Sequence, residues 1–192
     1  MNMKKIIIAL WLFISAGVCF AQSGHMKFKG IPMEGTLNSF VAKLKAKGFT
    51  YIGQQDGAAI LKGEFAATKN CTIGVVRFSD KDQVNVVGVI FPEQDSWSDI
   101  YQSYLSLKEM LTEKYGEPDV SERFSGNDPD SDFYKFYALL NDECHYVSKF
   151  TCENGKILLT MKKQNHNTAS VLLRYIDKAN ADETRKKVMD DL

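Results

Sequence analysis

The sequence predicts an α+β domain built as two tandem α-β-β-β-β repeats, with the helices packed on antiparallel sheet. Three observations carry that expectation. A constant shift of 85 residues lays Phe65–Phe91 over Phe150–Ile176 without a gap. Within both segments the apolar runs are short, rich in β-branched and aromatic residues and closed by turn signals, the pattern of a meander. Ahead of each meander lies a stretch whose apolar residues recur at helical spacing. The first repeat spans residues 26–92 and the second 95–178.

The chain opens on a segment that belongs to neither repeat. Lys4 and Lys5 precede a charge-free run from Ile6 to Phe20, and Cys19-Phe20-Ala21 puts small residues at the two positions signal peptidase reads. Residues 1–21 are therefore expected to be a signal peptide cleaved before Gln22, which makes the protein periplasmic or secreted. The run of 15 residues is shorter than the ~20 needed to span hydrocarbon. Val18 stands before Cys19 where lipid modification wants a small residue. No later stretch is apolar enough to be a transmembrane segment.

In the first repeat, Pro32 and Thr36 mark a helix start, Phe40, Val41 and Leu44 form its stripe, and Gly48 stops it before Phe49. Strands are expected over Leu61–Phe65, Thr72–Val76 and Val84–Phe91. In the second, Ser96 and Asp99 form a capping pair, Ile100, Tyr104, Leu107 and Leu111 form the stripe, and Gly116 with Pro118 ends the helix. Extra residues separate Pro118 from Asp142. Strands follow at Tyr146–Phe150, Ile157–Thr160 and Val171–Ile176, with Asn154-Gly155 as the clearest hairpin turn. Leu61-x-Gly63-x-Phe65 and Tyr146-x-Ser148-x-Phe150 share a large, small, large order on one strand face, which leaves a shallow groove for the helix to enter. Residues 179–192 read as a charged tail, either a short surface helix or a frayed end.

Composition bounds the function. Without the signal, 171 residues remain, carrying 22 basic and 24 acidic side chains, a net of −2. That length supports one domain with a substantial core, and that balance exerts no long-range pull on nucleic acid or anionic lipid. Cys71, Cys144 and Cys152 allow at most one internal bridge. Cys144 and Cys152, eight residues apart on one extended strand, lie too far apart to join. A bridge through Cys71 and three buried thiols both stay open.

No constellation signals catalysis, a cofactor or a metal. His25, His145 and His166 share no ligand spacing, and Cys144-His145 point to opposite faces of a strand. Asp128-x-Asp130-x-Asp132 imitates half a calcium loop, but Phe133 replaces the turn glycine and Leu139 the bidentate Glu, so a solvated acidic loop is expected. Asn70-Cys71-Thr72 fits the glycosylation sequon, which has meaning only in a host with that pathway.

Two features suggest a surface for a partner. The last strand of each repeat is apolar at both parities (Val86, Val87, Val89, Ile90; Val171, Leu172, Leu173, Tyr175), so a second sheet face also resists water. The two repeats themselves, or a second copy in a homodimer, would cover it. Phe133, Tyr134, Phe136 and Tyr137 form an aromatic cluster, weighed against a role in the core.

With this element order, and with Leu111-Thr112-Glu113-Lys114-Tyr115-Gly116-Glu117-Pro118 closing the second helix, the chain resembles uncharacterised small exported bacterial proteins. Their tandem architecture is similar to that of the beta-lactamase inhibitor protein. The resemblance covers about Lys27 to Asp177 and implies a concave sheet that presents side chains to a protein partner. Inhibitors of that kind carry a disulfide in each repeat, which three cysteines cannot match, and no inhibitory residue is carried over. The expectation is a non-enzymatic binding or inhibitor-like module for a protein, peptide or envelope component, acting through its sheet face. A hydrolase or thiol enzyme and a structural homo-oligomer are the alternatives.

Overall fold

The computed structural model describes residues 24–77 and 82–190; the expected signal segment 1–21 lies outside the described residues. A short pair, β1 (Lys27–Phe28) with β2 (Ile31–Pro32), precedes helix α1 (Leu37–Ala46). Strands β3 (Thr50–Gln55), β4 (Ala58–Phe65), β5 (Thr68–Arg77) and β6 (Val84–Ile90) follow. Next come α2 (Trp97–Tyr115), β7 (Asp119–Phe124), α3 (Asp132–Leu140), β8 (Cys144–Cys152), β9 (Gly155–Lys163), β10 (Ala169–Asp177) and α4 (Lys178–Asp190). Strands β3 to β10 form one eight-stranded sheet in the order β3-β4-β5-β6-β10-β9-β8-β7. Every pairing in it is antiparallel. The described residues are thus α+β, with four helices and a large antiparallel sheet.

The helix starts lie where capping chemistry puts them. Thr36 Oγ1 accepts from the Ser39 N–H at 3.2 Å, and Ser96 Oγ accepts from the Asp99 N–H at 3.2 Å while donating to the Asp99 carboxylate at 2.7 Å. Gly48 (φ +93°) and Gly116 (φ +85°) take the left-handed backbone just past the two helices. The extra segment after Pro118 resolves into β7 and α3, and Ser131 caps the latter. Asp128 and Asp130 occupy the loop between them, while Asp132 opens the helix. The charged tail from 179 falls within α4, anchored where Asn180 Nδ2 donates to the Met33 and Val84 carbonyls at 3.0 and 2.8 Å.

The core lies between the helices and one sheet face. Across the sheet, Leu61, Ile73, Val89, Leu173 and Leu159 sit side by side in register and are buried. Burying each such aliphatic side chain is worth ~1.5–3 kcal/mol. The two small residues of the sequence pattern do receive large neighbours. Phe49, just past α1, sits on Gly63, so close that a Cβ there would lie 2.4 Å from its ring. Tyr104 of α2 sits on Ser148, its hydroxyl 2.7 Å from Ser148 Oγ.

The predicted Asn154-Gly155 turn is displaced by one residue. Cys152 pairs with Gly155, so the loop is Glu153-Asn154 and Gly155 begins β9. Its missing side chain answers to packing, since a Cβ would meet the Ile176 carbonyl oxygen at 2.2 Å. The other tight hairpins turn on Asp56-Gly57 (φ +48° and +79°) and Ala66-Ala67 (φ +47° and +59°). Asp-Gly suits two left-handed positions; Ala-Ala does not.

Candidate functional site

The face of the sheet opposite the core is open at its centre, where a Cβ on Gly74 would meet nothing. Along β4, β6, β9 and β10 most core-facing residues are buried, while on the other face Ile60, Val86, Ile90, Leu158, Leu172 and Ile176 are half-buried and Thr160 and Ser170 are buried. Register aligns them in three rows. One row runs Lys62, Thr72, Ile90, Leu172, Thr160, Val147; the next Ile60, Gly74, Gly88, Arg174, Leu158, Lys149; the third Ala58, Val76, Val86, Ile176, Lys156. The middle row contains two adjacent glycines at the centre of the sheet. A Cβ on Gly74 would meet nothing within 4 Å, and on Gly88 only the Gly74 carbonyl oxygen at 3.9 Å. The pair therefore floors an open trough between the apolar rows, with Arg174 standing exposed at its end. A glycine in a strand interior weakens the strand and often marks a bulge, a tight bend or a site where another backbone or a ligand comes close.

Charge is sorted onto this face. Lys62, Arg123, Lys149, Lys156, Lys162 and Arg174 all point to it, against Asp119 and Glu64. Lys149 Nζ donates to the Asp119 carboxylate at 2.8 Å and holds that carboxyl below its ordinary range. The whole-chain balance thus conceals an apolar trough with a cationic surround. A long-range field needs net charge, but a local one needs only sorting.

The aromatic cluster lies elsewhere. Phe133, Tyr134 and Tyr137 on α3 are 73%, 61% and 58% exposed, while Phe136 packs on the core. Tyr134 and Tyr137 line a recess of about 350 Å³ together with Asp128, Asp130 and Glu143. The structure therefore does not bring the cluster to the sheet face.

Thiol and tyrosine chemistry is held back by burial. Cys71, Cys144 and Cys152 are free thiols, the first two buried and the last half-buried. Cys144 and Cys152 mark the two ends of β8, as the strand reading required. Burial pushes all three thiols up, Cys144 to about 12, which favours the unreactive protonated form. Cys152 shares a recess of about 680 Å³ with His25, whose Nδ1 lies 3.1 Å from the buried Asp177 carboxylate. That dyad orients a histidine, but the neighbouring thiol is set against ionisation. Tyr104 donates to Glu122 at 3.0 Å as well as meeting Ser148; its hydroxyl is pushed up by burial and serves as an anchor for α2. Among the described residues no three His, Cys, Asp or Glu side chains are grouped to hold a metal ion, and no helix is long and apolar enough to cross a membrane.

Gly74, Gly88 and Arg174 are site residues that periodicity alone passes over. The available signal was an isolated glycine within each of two otherwise β-branched runs. No protein-family model matches the chain, and neither a curated protein nor a solved structure does.

Proposed function

We propose that the protein is an exported, non-enzymatic binding module that holds a protein or peptide with an acidic and apolar surface against the open face of its sheet. The observation that carries this reading is the trough floored by Gly74 and Gly88, flanked by apolar rows and surrounded by lysine and arginine. The raised thiols weigh against a thiol enzyme. A homodimer through the same face would set six cationic side chains against their own copies, so like-charge repulsion favours a foreign, anionic partner.

The order helix, four strands, helix, four strands, with the last strand of each set paired at the centre, supports descent from a duplicated α-β4 unit, α3 being an insertion.

The test is capture from envelope extract by the wild type, by Gly88→Val, which fills the trough with a β-branched residue, and by Arg174→Glu. The expected result is a defined partner retained by the wild type, released by moderate salt, and lost from both variants. A partner retained equally by Gly88→Val and Arg174→Glu would refute the sheet face as the site.

A further inference from the structure

A second surface, on the helix-bearing side of the molecule, has the form of a peptide groove. Three recesses lie end to end along α2. The first, about 650 Å³, is lined by Glu93, Asp95 and Asp99 with Phe91 and Val171 of the core beneath. The middle one, about 150 Å³, is apolar, walled by Phe65, Leu111 and Leu173. The third, about 680 Å³, carries Lys27, Lys29 and Lys114 beside Tyr115 and Tyr175, with Glu153 as its acid. Ala66, Leu107 and Met110 line both the first and the middle recess. Phe65, Lys114, Tyr115 and Tyr175 line both the middle and the third. Shared side chains place the three recesses next to one another in a row.

Its ends are oppositely charged. From Asp99 to Lys114 along α2 is 15 residues, about 22 Å at the helical rise. An extended chain covers that distance in about seven residues at 3.3 Å each. At the acidic end Gln94 donates from Nε2 to Ser103 at 2.8 Å, while its Oε1 is buried without a hydrogen-bond partner. In the middle, Met110 stands 48% exposed, a flexible apolar side chain that adapts to what it covers. The wall opposite α2 includes Ala66, held at φ +47° in a turn where its small side chain keeps the groove open.

We infer that this groove binds a short extended peptide, about seven residues long, whose cationic end lies at Glu93, Asp95 and Asp99, whose middle is apolar, and whose anionic end lies at Lys27, Lys29 and Lys114. The site is separate from the open sheet face and stands whether or not that face has a partner.

The probe is a labelled heptapeptide, Lys-Val-Leu-Gly-Leu-Val-Glu with free termini, and its control is the uncharged Gln-Val-Leu-Gly-Leu-Val-Gln with both termini blocked. Fluorescence anisotropy is read for wild type, Met110→Glu, the pair Asp95→Lys with Lys114→Glu, and Arg174→Glu on the far face. The substituted groove side chains lie at the surface, and unchanged circular dichroism confirms folding. The expected result is binding of the first peptide, at least tenfold weaker binding in Met110→Glu, loss of the preference for the charged peptide in the charge pair, and no change in Arg174→Glu. Absence of binding at millimolar peptide, equal binding of the two peptides, or indifference to Met110→Glu would overturn the inference. A loss confined to Arg174→Glu would move the peptide to the sheet face.

Discussion

Replacing Gly63 with alanine tests the packing that joins the first helix to the sheet. A Cβ at this position would lie 2.4 Å from Phe49 Cδ1, 2.9 Å from Cε1 and 3.2 Å from Cγ. Carbon atoms in good contact stand about 3.5–4.0 Å apart, so the ring must retreat by about 1 Å. It has little room, because Phe49 is buried and its ring centroid lies 6.4 Å from that of Phe28, which stacks on Phe65. Overpacking of this kind costs about 1–3 kcal/mol, from which the ordinary gain of about 0.5–1 kcal/mol for removing a strand glycine is subtracted. The net expectation is a loss of about 1–2 kcal/mol, or a fall in Tm of about 2–8 °C for a domain of this size. Gly74→Ala supplies the control, since its new methyl meets nothing within 4 Å. Urea unfolding of both variants, with equal m-values, should show Gly63→Ala less stable than wild type and Gly74→Ala equal to it or more stable. Adding Phe49→Leu to Gly63→Ala should recover part of the loss. Equal stability of the two glycine variants would refute the packing argument.

Four further outcomes follow from the same geometry. Tyr104→Phe should cost about 1–2 kcal/mol by leaving the buried Ser148 hydroxyl without its partner, Ser148→Ala should cost less because Tyr104 still donates to Glu122, and the double variant should cost less than their sum in a urea double-mutant cycle. Ala66→Asn with Ala67→Gly should raise stability by about 1 kcal/mol, because both positions are left-handed and alanine is strained there; a drop in Tm would contradict the turn assignment. Cys144 keeps its proton to about pH 12 when folded, against an ordinary value of 9.0. The unfolded chain therefore loses that proton first, and the thiol's contribution, complete below pH 9, is lost as pH rises toward 12; Cys144→Ala should flatten that part of the stability profile. Asn180→Ala should free two backbone carbonyls and raise hydrogen exchange in α4 while leaving β8 and β9 protected, a pattern read by mass spectrometry.

Legibility followed the strength of local signals. Thr36 and Ser96 could be read as caps because each precedes a stripe of buried residues at helical spacing. Ser131 caps α3 in the same way, but the following helix shows Phe133, Tyr134 and Tyr137 to solvent and buries Ala138 and Leu139, so its stripe is not the one the aromatics suggest. The edge strands β3 and β7 were missed for a related reason. Their sequences, TYIGQQ and DVSERF, are mostly exposed, Tyr51, Ile52 and Val120 included, so no alternation of buried and exposed residues marks them. The displaced hairpin turn shows the opposite failure, in which Gly155 looked like a turn residue and is held by a contact from Ile176 that sequence proximity cannot reveal.

By itself the sequence determined the α+β class, helices α1 and α2, the six central strands and the small-residue notches at Gly63 and Ser148, because periodicity, caps and residue volume act within a few residues of chain. Tertiary structure alone decided that β6 pairs with β10 and aligns Gly74 and Gly88 beside Arg174. It also decided that six cationic side chains from five strands share one face of a nearly neutral protein, and that α2 lines a row of recesses with opposite charges at its ends. The physical reason is that strand register converts positions up to a hundred residues apart into neighbours 5 Å apart, and the charge of a surface depends on which neighbours those are.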